Sequence, residues 1–64
     1  MTEAERMAAL ADTLARLSDE LIAASVEFEI LAWRGHVSHL TYESSLLLIY
    51  SSQIRARAKV KASQ

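Results

Sequence analysis

Sixty-four residues allow a single domain, and a chain this short buries only about 60% of the surface its unfolded form exposes. It has no cysteine, which excludes disulfides and thiolate metal sites and leaves a partner chain as the expected source of extra burial. At 52% hydrophobic and net charge −1 it is too apolar for a disordered segment and too near neutral for an obvious nucleic-acid binder.

The chain opens Met1-Thr2-Glu3-Ala4-Glu5, acidic and polar where a signal peptide would be basic. Thr2 and Glu5 have the spacing of a capping box, in which each side chain bonds the other residue's backbone N–H. Glu3 and Glu5 also suit the positive end of a helix dipole. From there Met7, Leu10, Leu14, Leu17, Leu21, Ala24, Phe28 and Leu31 alternate spacings of three and four, a heptad seam that predicts one long helix over about 3–34. Beside the seam runs a ridge of small residues, Ala4, Ala11, Ser18, Ser25 and Ala32, which would let a second helix approach closely. Ile22, Val26, Ile30 and Trp33 add a second apolar strip to the later half. Arg16, Glu20, Glu27 and Arg34 form the solvated side.

The only glycine, Gly35, is the expected left-handed residue closing this helix, with the turn at 35–38. Ser38 is the expected cap of the second helix, and Val37 with Tyr42 has hydrophobic-staple spacing. The second helix is predicted over about 39–61. It has two apolar seams on opposite sides, Tyr42-Leu46-Ile49-Gln53-Ala56-Val60 and Leu40-Ser44-Leu47-Ser51-Ile54-Ala58. Its centre, Leu46 to Tyr50, is apolar all round and needs more than one neighbour, yet this longest apolar run is far too short to span a membrane. The end, Arg55 to Lys61, alternates basic and apolar residues and is read as the last helical turns, since a lone strand would have no partner.

Residues 1–34 carry seven acids and three bases, and residues 35–64 one acid and four bases, which favours an antiparallel hairpin. Arg55 to Lys61 should then lie beside Asp12, Asp19 and Glu20. With unequal helices, Met7 and Leu10 should overhang the shorter one. The expected architecture is an all-α, two-helix hairpin over 1–64 that completes a helical bundle with itself or a partner.

No Ser-His-acid pattern, phosphate-cradling loop or paired carboxylate setting supports an enzyme, and no cofactor or small-molecule substrate is implied. Leu21, Phe28, Trp33, Leu47, Tyr50 and Ile54 are the candidate partner-binding residues, because large apolar and aromatic side chains dominate interfaces. Trp33 and Tyr50 read equally well as core of the hairpin's closed end. Arg55, Arg57, Lys59 and Lys61 are candidate phosphate contacts for a nucleic-acid-binding four-helix bundle, although no aromatics interleave them. Glu29, His39 and Glu43 are a candidate carboxylate/His metal set, with His-x-x-x-Glu where bundle sites use Glu-x-x-His.

Trp33-Arg34-Gly35 is similar to the Trp-x-Gly turn of the WXG100 hairpins, but no Tyr-x-x-x-Asp/Glu follows the second helix. In length and layout the chain resembles the plasmid copy-number regulators that dimerise as hairpins and bind paired RNA loops. With its Met1-Thr2 opening, its first helix ending in Arg34-Gly35 and a shorter second helix, it also resembles the small hairpin co-chaperones of type III secretion needle subunits. That resemblance implies binding to a larger helical-repeat chaperone and prevention of early needle polymerisation. The combined expectation is a cytoplasmic, non-catalytic interaction module, its partner either a second copy or a larger helical protein.

Overall fold

The computed structural model describes residues 1–63, and of Arg34 only the backbone. Two helices, α1 (Glu3–Ile30) and α2 (Arg34–Ser63), form an antiparallel hairpin about 50 × 17 × 9 Å. No strand occurs among the described residues, and the alternating basic tail is helical as expected.

The capping box is present. The Thr2 N–H donates to Glu5 Oε1 (2.9 Å), and the Glu5 N–H donates to Thr2 Oγ1 (3.1 Å). The Thr2 backbone N–H, and after it the Thr2 hydroxyl, holds the Glu5 carboxyl below its ordinary pKa. A carboxylate depressed on folding stabilises above its unfolded pKa, and that contribution is lost as pH falls through the folded value. Acidification should therefore fray the first turn of α1 before the rest of the helix. Amide exchange at Thr2 and Glu5, followed from neutral pH to about pH 3, should show their protection lost first. Equal protection loss along α1 would contradict this.

The turn departs from expectation. α1 stops at Ile30, not 34, and α2 starts at Arg34, not 39. Leu31 is the C-cap and Ala32, with φ of 63°, is the left-handed residue. The Ala32 N–H reaches the Glu29 carbonyl (3.0 Å) and the Trp33 N–H reaches the Phe28 carbonyl (2.8 Å). These two bonds make a Schellman motif, and the Phe28–Trp33 ring contact, centroids 5.8 Å apart, supplies the apolar clasp that goes with it. Alanine in this conformation costs roughly 1–2 kcal/mol, and the carbonyl bonds and the clasp offset it.

Gly35 is thus an early residue of α2 with no positive φ, and Val37 and Ser38 lie inside that helix, not at its start. A Cβ at Gly35 would meet nothing within 4 Å. Moving the glycine should stabilise the hairpin twice over. Ala32→Gly relieves the left-handed strain, for about 1 kcal/mol. Gly35→Ala improves helix propensity, for about 0.5–1 kcal/mol. Urea unfolding of each variant checks this, and a destabilising Gly35→Ala would restore the turn to 35–38.

The two helices touch along small residues. Ala11, Ser18 and Ser25 of α1 and Ser44, Ser51 and Ala58 of α2 are the buried positions, each set spaced by seven. Ser18 Oγ donates to the Ser44 carbonyl (3.0 Å), Ser44 Oγ donates to the Ser18 carbonyl (3.1 Å), and the hydroxyls lie 2.6 Å apart. Ser51 Oγ donates to the Ala11 carbonyl at 2.7 Å. A serine hydroxyl reaches the opposite backbone only when the helices are very close, and only small seam residues allow that approach. No buried polar side-chain atom is left unpaired among the described residues.

This register sets Ser18 against Ser44 and Ala11 against Ser51, so α2 runs alongside α1 to its first turn. The expected overhang of Met7 and Leu10 is absent because the helices, at 28 and 30 residues, are nearly equal. Arg55 pairs with Asp12 as expected, but Lys61 pairs with Glu3 (3.0 Å), not with Asp19 or Glu20.

Candidate protein-interaction surface

Because the seam repeats every seven residues, it divides each helix into two flanks. Residues three after a seam position flank it on one side, and those four after it on the other. In an antiparallel pair the same offset from both helices falls on the same broad face. The ring contacts agree, since Phe28 touches Trp33 and also His36 (centroids 4.9 Å) on the first face. The ion pairs agree too, with Lys61–Glu3 on that face and Arg55–Asp12 on the other.

The first face is apolar along most of its length. Met7, Leu14, Leu21 and Phe28 of α1 and Leu40, Leu47 and Ile54 of α2 line its centre, all half-buried. Leu10, Leu17 and Leu31 rim it on the α1 side, and Tyr50 rims it on the α2 side, all exposed. All six candidate partner-binding residues lie here: Leu21, Phe28, Leu47 and Ile54 at the centre, Trp33 at the closed end and Tyr50 on the rim. Trp33 is 59% exposed and Tyr50 49% exposed, so neither is core of the hairpin itself. The heptad seam of α1, read from the sequence as a contact line, borders the helix–helix contact instead of forming it. Leu10, Leu14, Leu17 and Leu40 therefore join the candidate surface. Their signal was the three-four spacing itself, once the small ridge is recognised as the true contact.

The second face is small and polar over most of its length, with Ala8, Ala15, Thr41 and Arg55 near the seam and Ile22 and Leu48 toward its closed end. A further apolar strip, Tyr42, Ile49 and Val60, is exposed on the side of α2 turned away from α1. Of the two seams expected for α2, the one with Ser44, Ser51 and Ala58 meets α1, and the other is this strip.

The metal set does not assemble. Glu29 lies four residues after Ser25, on the second face, and Glu43 immediately precedes Ser44, on the first. His39 and Glu43 make only an exposed i,i+4 contact at 4.0 Å. No group of three His, Cys, Asp or Glu residues able to hold a metal occurs among the described residues.

The basic tail does not form one patch either. Successive cations two residues apart project about 200° around a helix, so Arg55 and Lys59 fall on the second face and Arg57 and Lys61 on the first. Arg55 and Lys61 are already engaged with Asp12 and Glu3. No helix of the described residues is long and apolar enough to cross a membrane.

No protein-family model, no curated protein and no solved structure matches this chain.

Proposed function

We infer that this chain is a non-catalytic protein–protein interaction module that works by packing its first broad face against partner helices. One observation carries the reading. The contact inside the hairpin is made by alanine and serine, while the large apolar residues beside it remain half-buried or exposed. An ordinary two-helix protein would place its leucines and aromatics between its helices, where burial stabilises most. Here the total exposed surface is 4799 Å², where a compact monomer of this mass exposes about 4,100 Å². A contiguous apolar face on such a molecule marks an interaction site.

An adaptor, co-chaperone or accessory subunit of the cytoplasm fits this surface. The co-chaperone resemblance gives its most specific form, a hairpin laid on a larger helical protein, and rests on layout alone. The nucleic-acid reading is the weaker one, since its four cations divide between two faces.

The test is the native mass of the tagged chain in extracts of its source, compared with Tyr50→Lys. The wild type should run in a species heavier than its own 7.1 kDa, and the variant should leave that species while keeping its helicity. A folded 7.1 kDa monomer in those extracts would overturn the reading.

A further inference from the structure

We propose that the occupant of the first face is a second copy of this chain, docked with the two open ends at the same end of a four-helix bundle. The proposal rests on the interaction reading above and names its partner.

Area is the first argument. The hairpin is a slab whose broad faces measure about 50 × 17 Å. That footprint, roughly 850 Å², matches the about 800 Å² per partner of a standard stable interface. Elsewhere Ile22, Val26, Ile30 and Leu48 are exposed only toward the closed end, and the strip Tyr42-Ile49-Val60 is one helix wide and interrupted by Gln53 and Ala56, so each offers less.

Charge selects the arrangement. Two hairpins can stack these faces about a two-fold axis in the plane between them, and every neighbouring helix pair is antiparallel in both choices. With the axis across the helices, α1 lies on α1 and α2 on α2. Each open end then meets the partner's closed end, and Glu3 lies far from the partner copy's Arg57 and Lys61. With the axis along the helices, α1 lies on the partner's α2, and residues that share a level within one hairpin share it across the interface. Glu3 then comes level with Arg57 and Lys61 of the other copy, and Leu10 falls between its Tyr50 and Ile54. Glu3, the acid that α1 brings to this face, thus meets the two cations that α2 brings to it, Arg57 and Lys61, at the open end. Complementary charges at the open ends favour this arrangement over the one that separates them.

The same arrangement gives Arg57 an acid to face. It lies on the rim of the apolar face, and no carboxylate stands within ion-pair distance of it among the described residues. A centre of leucines with charges at the rim is the usual anatomy of a stable interface.

The chain has no cysteine, so one spin label can be placed at Ser63→Cys on the exposed open end. Sedimentation of the purified chain at micromolar concentration should give twice the 7.1 kDa chain mass. Label-to-label distances should fall at roughly 20–35 Å, the width of a four-helix bundle with label arms. Leu17→Glu, on the face, should weaken self-association by more than about tenfold, since each dimer carries it twice. Ala9→Glu, on the far side of α1, should leave it unchanged.

Distances near the 50 Å length of the hairpin would overturn the arrangement. A dimer indifferent to Leu17→Glu would overturn the choice of face. A folded monomer would overturn the second copy as partner, and the Tyr50→Lys comparison in extracts would then decide the wider reading separately. Because the label distance is read in an otherwise native chain, the result stands even if Leu17→Glu fails to fold.

Discussion

Ser18→Leu should unfold the hairpin, whereas Ser18→Ala should cost only about 1 kcal/mol. The asymmetry follows from where Ser18 sits. It has no exposed surface, and its hydroxyl lies against both the carbonyl and the hydroxyl of Ser44. Alanine keeps the close approach and loses one reciprocal hydrogen-bonded contact. Leucine has no volume to occupy, because what faces it is backbone and not a side chain that can rotate away. The helices must separate, and the Ser51–Ala11 bond one heptad along separates with them. Overpacking alone costs about 1–3 kcal/mol, and the stranded Ser44 hydroxyl adds about 1–3 kcal/mol. A 64-residue domain has little beyond that to lose. Urea unfolding followed by helix ellipticity at fixed protein concentration measures both variants. If Ser18→Leu were as stable as the parent, the small-residue seam would not be the contact.

That seam also explains what could and could not be read in advance. The two helices and the capping box follow from local patterns, three-four spacing and Thr2 with Glu5, and both stand in the structure. The small ridge is visible too, and Ser44 and Ser51 stand in one of the two expected α2 seams, but spacing alone does not say which seam meets α1 or that the hydroxyls reach its backbone carbonyls. The position of the turn is ambiguous in the sequence for a related reason. Small residues recur every seven positions on both helices, so two registers satisfy them. One sets Ser18 against Ser44 and centres the turn on Leu31. The other slips one heptad, sets Ser18 against Ser51, and centres the turn near Gly35. Local chemistry favours the second, since glycine accepts positive φ without strain. Tertiary contact favours the first, which brings Ala4 beside Ala58, pairs Lys61 with Glu3, and closes Phe28 on Trp33. A strained alanine is tolerated because the whole length of both helices is then in contact. Sequence periodicity reports which residues share a face, but it is blind to a shift by one full period.

Phe28→Ala should be the most damaging single truncation on the exposed side of the seam. Phe28 is the joint of the closed end. Its carbonyl takes the Trp33 N–H, and its ring packs on both Trp33 and His36, tying the last turn of α1 to the first turn of α2. A fully buried Phe→Ala costs about 3–5 kcal/mol, and this ring is half-buried, so about 2 kcal/mol is expected for the isolated hairpin. The backbone bond survives the change, but the clasp that offsets the strain at Ala32 does not. The strain should therefore show itself in the double variant. Adding Ala32→Gly to Phe28→Ala should recover about 1 kcal/mol or more, at least as much as it gains in the parent, because the clasp no longer holds the left-handed residue in place. The same truncation removes one of the large side chains from the interaction face, so binding should suffer beyond the loss of stability. Comparing unfolding midpoints with native mass across the four-member cycle separates the two effects. If Ala32→Gly restores the midpoint but not the mass, Phe28 contacts the partner directly. If it restores both, Phe28 acts only by holding the turn.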